Sequence, residues 1–206
     1  MKLNALLSGV ILAATFTSAS ALSVTVGNTP QTPDQSNLVR NPCGLDAATG
    51  TGTTVLGCLN DDHSAIVGLT SDESLTISGG QASLGATDGE AFSRLTVSDS
   101  FSTLILNIDA TEDGFVTFTD SSGTSSPFAL DDNGQNFFTL TGVVGSSVTF
   151  VTSLTSGGAE TDIVDEVRQI RLGGQVTAIP EPETYALMMA GLAAVGFIGR
   201  RRKLRK

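Results

Sequence analysis

Apolar and polar residues alternate along most of this chain with a period of two rather than 3.6. Leu22-Ser23-Val24-Thr25-Val26 sets the pattern, which returns at residues 75–77, 95–97, 104–108, 115–118, 138–140 and 148–150. Successive side chains of a strand point to opposite faces, so this spacing predicts strands with one face on a core and one in water. The β-branched and aromatic residues in these runs suit a pleated, half-buried surface. Turn clusters separate them: Ser78-Gly79-Gly80, Thr87-Asp88-Gly89, Glu112-Asp113-Gly114, Ser121-Ser122-Gly123, Asp131-Asp132-Asn133-Gly134 and Ser156-Gly157-Gly158. Short strands joined by Gly-rich turns predict an all-β antiparallel sandwich or barrel, and the sandwich is the expected fold. Residues 28–50, rich in Pro, Asn, Gln and Gly, read as a loop. Residues 163–176 begin in alternation and shift phase at Ile170 and Leu172, which predicts a last strand with a bulge.

Two apolar runs stand outside this pattern. Lys2, the apolar stretch 5–16 and Ala19-Ser20-Ala21 have the form of a secretory signal peptide cleaved after residue 21. Near the other end, Pro180-Glu181-Pro182 precedes residues 185–199, which carry no charge. Arg200, Arg201, Arg202, Lys203, Leu204, Arg205 and Lys206 follow. As a helix, residues 185–199 extend roughly 22 Å against a ~30 Å hydrocarbon core. Tyr185 at one interface and a snorkelling Arg200 at the other make up the difference. The basic residues place that end in the cytoplasm and everything before residue 180 outside. The prolines prevent a helix from running back into the body. The expected organisation is a signal peptide at 1–21, a β-sandwich body at 22–179 and an anchor at 180–206 with its transmembrane helix at about 185–199. Physical reasoning alone leaves open whether that anchor is permanent or processed.

The order of Pro180-Glu181-Pro182, a span rich in Gly, Ala and Leu, and the basic stop Arg200, Arg201, Arg202 and Lys203 resembles the PEP-CTERM sorting signal. The resemblance covers residues 179–206. It implies recognition by an exosortase, an integral-membrane Cys protease/transpeptidase of Gram-negative bacteria. A precursor anchored in the inner membrane, with a periplasmic body and a cytoplasmic C-terminus, would be released near the motif to the cell surface or an extracellular polysaccharide matrix. Asn136-Phe137-Phe138-Thr139-Leu140 and the run 166–174 also resemble phrases found in the bodies of PEP-CTERM proteins. That second likeness implies a jelly-roll-like sandwich and no defined activity.

Setting both ends aside changes the electrostatics. The whole chain has a net charge of −10. The body keeps only Arg40, Arg94, Arg168 and Arg171 against 19 acidic residues, a net charge of −15. Such a surface repels nucleic acid and other polyanions, so no nucleic-acid partner is expected. Cys43 and Cys58 are the only cysteines, and in an exported segment they are expected to form a disulfide. A zinc site would need four ligands, and His63 is the only histidine.

Catalytic patterns are weak. His63 follows Asp61 and Asp62, but no nucleophile motif accompanies it, and it reads as a solvated turn residue. A polysaccharide hydrolase would need two facing carboxylates. The body has no Trp, its sole Tyr lies in the tail, and its phenylalanines alternate as core residues. No enzyme is expected. The sharpest binding candidate is Ca²⁺ at Asp109, Thr111, Asp113 and Asp120, with Gly114 at the sixth position of an EF-hand-like spacing. Thr at position 3, Asp at position 12 and flanking strands instead of helices depart from that pattern, and a hairpin turn is the plainer reading. Asp131-Asp132-Asn133-Gly134 offers similar oxygens and also fits a turn. The expected role is structural or adhesive in surface polysaccharide, without a cofactor. A glycan- or Ca²⁺-binding module is the alternative.

Overall fold

The computed structural model describes residues 22–40, 43–78, 82–132 and 135–174. The expected signal peptide, sorting motif and membrane helix lie outside the described residues. Among the described residues no helix is long and apolar enough to cross a membrane.

Thirteen strands follow one another: β1 (Ser23–Val26), β2 (Gln35–Val39), β3 (Thr51–Leu59), β4 (Ile66–Ser78), β5 (Ser83–Ala86), β6 (Arg94–Ser98), β7 (Thr103–Ala110), β8 (Gly114–Asp120), β9 (Gly123–Thr124), β10 (Phe128–Leu130), β11 (Asn136–Thr141), β12 (Ser147–Ser153) and β13 (Val164–Gly173). A 3-10 turn, Ala47–Gly50, precedes β3. The seven alternating runs seen in the sequence all fall in strands. β2, β3, β5, β9 and β10 were not legible there. Residues 35–39 read as loop because only Leu38 and Val39 are apolar, yet backbone pairing to β3 and β13 holds them as a strand.

All pairings are antiparallel, and they form one continuous sheet rather than two separate ones. The order is β1-β11-β7-β13-β2-β3-β4-β6-β12-β8-β10, with β5 bridging β13 and β4. That bridge closes β13, β2, β3, β4 and β5 into a barrel-like ring. The two flanking wings, β7-β11-β1 and β6-β12-β8-β10, remain stacked like a sandwich. Phe118 of β8 meets Phe138 of β11 at 5.2 Å between ring centroids, and Phe128 meets Phe138 at 6.1 Å. The expectation of an all-β antiparallel fold therefore holds, while two independent jelly-roll sheets are replaced by a single sheet with barrel-like closure. The reason is that β4 and β13 are long enough to pair with different neighbours at their two ends. β4 meets β6 through residues 68–70 and β5 through residues 75–78. β13 meets β5 through residues 166–168 and β2 through residues 171–173.

The bulge expected in the last strand is present and is double. The β13–β7 register shifts between Val164 and Glu166 and again between Arg168 and Arg171. Gln169, with φ of 53°, is the only non-glycine among the described residues in the left-handed region. These shifts let Val164, Val167, Ile170 and Leu172 all reach the core.

The core is dominated by Phe92, Phe101, Phe118, Phe138 and Phe150 with Leu, Ile and Val, all essentially inaccessible to water. A row of directly paired threonines runs from β3 and β4 across the solvent face of the β6-β12-β8 wing to β9: Thr54, Thr70, Thr96, Thr149, Thr119 and Thr124. Their hydroxyls meet at 3.0 Å (Thr54–Thr70), 2.8 Å (Thr96–Thr149) and 2.9 Å (Thr119–Thr124). Cross-strand threonine pairs of this kind each contribute roughly 0.2–1 kcal/mol.

Candidate functional site

Cys43 and Cys58 form the expected disulfide, with 5.7 Å between their Cα atoms. It ties the irregular segment after β2 to the buried end of β3. Arg40 completes the tie. Its guanidinium donates to the Leu45 carbonyl at 3.3 Å and to the Asp46 carbonyl, and it packs 3.1 Å from the place where a side chain on Gly50 would begin.

The other three arginines are engaged in the same way. Arg94 pairs with Glu160, and Ser93 donates to the same carboxylate at 3.1 Å. Hydrogen bonding from Arg94 holds the Glu160 carboxyl below its usual range against the opposing effect of burial. Arg168 pairs with Glu166 and, at 3.2 Å, with Asp109. Arg171 donates to the Thr29 carbonyl at 3.4 Å. Every cation of the described body is thus turned to its own structure, which leaves an acidic exterior.

The four carboxyl and hydroxyl residues of the EF-hand-like spacing do not converge. Asp109 faces Arg168. Thr111 donates through its backbone N–H to the Ile163 carbonyl at 2.9 Å. Asp120, nearly buried, accepts from the Ser122 N–H at 2.7 Å, the Ser122 hydroxyl at 2.6 Å and the Val144 N–H at 2.8 Å. Burial opposes its ionisation, but these donors outweigh burial and hold its carboxyl below the usual range.

Asp113 instead meets the second acidic turn. Carboxylate oxygens of Asp113, Asp131 and Asp132 lie within 4.8 Å of one another, all three residues exposed. The local structure explains the approach. Gly114 opens β8 where a Cβ would stand 2.4 Å from Ile163 Cδ1 and 2.8 Å from the Ser153 carbonyl, so only glycine fits there. Asn136, almost fully buried, donates to the Ile108 and Asp131 carbonyls at 3.0 Å each and accepts from the Asp131 N–H at 2.9 Å. The Asp132 N–H donates to Asp113 Oδ1 at 3.1 Å. Beside the three acids lies an open cleft of about 390 Å³ lined by Asp113, Gly114, Phe115, Ala129, Leu130, Asp131 and Leu154. Hard cations take six to eight oxygens, and three exposed carboxylates, one already accepting a backbone N–H, make up a minority of such a shell. The sequence showed each acidic turn but not their meeting: neither is the hairpin turn it suggested, because each joins strands that do not pair with each other, β7 to β8 and β10 to β11.

His63 is exposed in a turn closed by Ser64, which donates to Asp62 through its N–H at 3.0 Å and its hydroxyl at 2.6 Å.

Comparison with known proteins finds one feature. Residues 178–203 match the family model of the PEP-CTERM protein-sorting motif, so the chain carries that motif at the position the sequence indicated. No curated protein and no solved structure matches the chain. The motif supports an exosortase-sorted surface protein, which implies export and a membrane-anchored precursor before processing.

Proposed function

We propose that this PEP-CTERM chain is a non-enzymatic, exported protein of a Gram-negative bacterium. An exosortase processes it, and it serves as a structural or adhesive component of surface polysaccharide or biofilm. The observation that carries the reading is the motif at 178–203 following closely on a β body whose last strand ends at Gly173. In this reading the precursor is held in the inner membrane by residues 185–199, with Arg200, Arg201, Arg202 and Lys203 on the cytoplasmic side. The exosortase then acts near Pro180-Glu181-Pro182. Three features of the body support life outside the cell. The Cys43–Cys58 bridge suits an oxidising compartment. A surface whose arginines are all engaged stays soluble and shuns polyanions. The threonine row offers a neutral, hydroxyl-rich face for sugar hydroxyls.

Replacing Pro180-Glu181-Pro182 by three alanines is expected to leave the full precursor in the membrane fraction. Intact mass of the surface-exposed and membrane-bound forms reads this directly. A mature surface form at normal yield from the triple variant would refute the sorting role.

A further inference from the structure

We propose that residues 22–29 form an exchangeable segment, docking on β11 of a second copy of this chain as they dock on their own. Among the described residues β1 lies at one end of the sheet and pairs only with β11, through four residue pairs from Ser23–Thr141 to Val26–Phe138. Leu22 and Val24 pack partly against the core, while Val26 is 61 % exposed. The segment that follows crosses the outer face of the same wing. The Gly27 N–H donates to the Phe137 carbonyl at 2.8 Å, the Thr29 and Thr139 hydroxyls meet at 2.9 Å, and Arg171 reaches the Thr29 carbonyl. Ile105 stands between Thr139 and Arg171 in register and is 0 % exposed, although it lies outside the main core cluster. Residues 22–29 therefore act as a ligand for a ready-made site consisting of the β11 edge and the apolar position beside it. The occupant of that site is set by the structure itself, and a second copy supplies an identical one.

Two further observations favour exchange. Residues 22–33 carry no charge, and neither does β11, so this is a contact two strongly acidic bodies can make without opposing carboxylates. The connection left once residues 22–29 are docked is 30–34, with prolines at 30 and 33. Five extended residues reach roughly 17 Å, far enough to cross to a closely apposed neighbour. Swapping an identical element conserves every contact of the closed form, so the balance between closed and exchanged forms follows local concentration. Chains gathered on a membrane or surface favour the exchanged form, and successive exchange links copies head to tail.

The test uses two differently tagged full-length chains expressed together, one Thr25→Cys and one Thr139→Cys, whose positions are direct register partners. After mild oxidation, a disulfide-linked dimer carrying both tags is expected at about tenfold the level either variant forms alone. The double variant on one chain reports closure within the chain. Internal cross-linking in the double variant with no mixed dimer overturns the proposal. So does a Thr25→Cys homodimer as the main product, which would mean that β1 edges meet each other. A second measurement needs no cysteine: light scattering of the wild-type chain in detergent. A monomer at every concentration up to roughly millimolar, the effective concentration a short tether supplies, also overturns it.

Discussion

Removing the disulfide by Cys43→Ala with Cys58→Ala gives a quantitative check on how the body is held together. The two cysteines are 15 residues apart in sequence. Cross-linking a loop of that length removes about 3 kcal/mol of chain entropy from the unfolded state. The native state adds a smaller loss. Cys58 is fully buried at the end of β3, beside Val39 and Leu59, so truncation to alanine leaves a small void. The arginine contacts to Leu45 and Asp46 survive the change but no longer have a fixed frame. A domain of about 150 residues has an unfolding entropy near 0.3 kcal/mol per degree, so 3 kcal/mol corresponds to a fall in Tm of about 10 °C. Differential scanning calorimetry of the full chain in detergent measures it, with wild type in reductant as a second route to the same state. The urea dependence should steepen slightly, because an uncrossed unfolded chain exposes more surface. A fall of less than about 2 °C would refute the reasoning. It would mean that the segment around residue 43 adds nothing to cooperative folding and that the bridge constrains only a locally frayed loop.

Other consequences are sharp enough to measure. Phe118→Ala, which empties the contact between the two wings, is expected to cost about 3–5 kcal/mol by urea denaturation. Gly114→Ala is expected to cost about 1–3 kcal/mol, since its Cβ meets the Ser153 carbonyl, a backbone atom that cannot swing aside. Acid should destabilise the body through Asp120 and Glu160. Both carboxyls are held below their ordinary values of 3.8 and 4.5, so their stabilisation is complete above those values and is lost as pH falls through the lower folded-state values. Asp120→Asn should flatten the acid limb of a Tm–pH profile below about pH 4, and an unchanged limb would assign the acid sensitivity elsewhere.

The candidate site shows how far pattern reading reaches. Both acidic turns were visible as composition, and Gly114 marked one of them as tight. Which carboxylates meet was not visible, because Asp113 and Asp131 are joined by strand pairing across β8 and β10 and by the buried Asn136. EF-hand spacing selected Asp109 and Asp120, two residues that the fold assigns to other partners. Spacing along the chain reports proximity only within one turn of one element, and cross-strand neighbours carry no such signature.

The sequence by itself determined the strand period, the turns between strands, the bulge in the last strand, the pairing of the only two cysteines and the sorting motif. Each is a local matter: alternation follows from strand geometry, turns from glycine and Asx chemistry, and the motif from contiguous residues. Tertiary structure decided the rest. It recruited the polar segment 35–39 as a strand between β3 and β13, which makes the sheet continuous, and it closed the ring through β5. It also placed six threonines from six strands in one row and tied Thr29 to Thr139 and Arg171 on either side of Ile105. These depend on which strands pair and in what register. Register is set by burying the whole apolar set at once, a property of the complete fold rather than of any window along the chain.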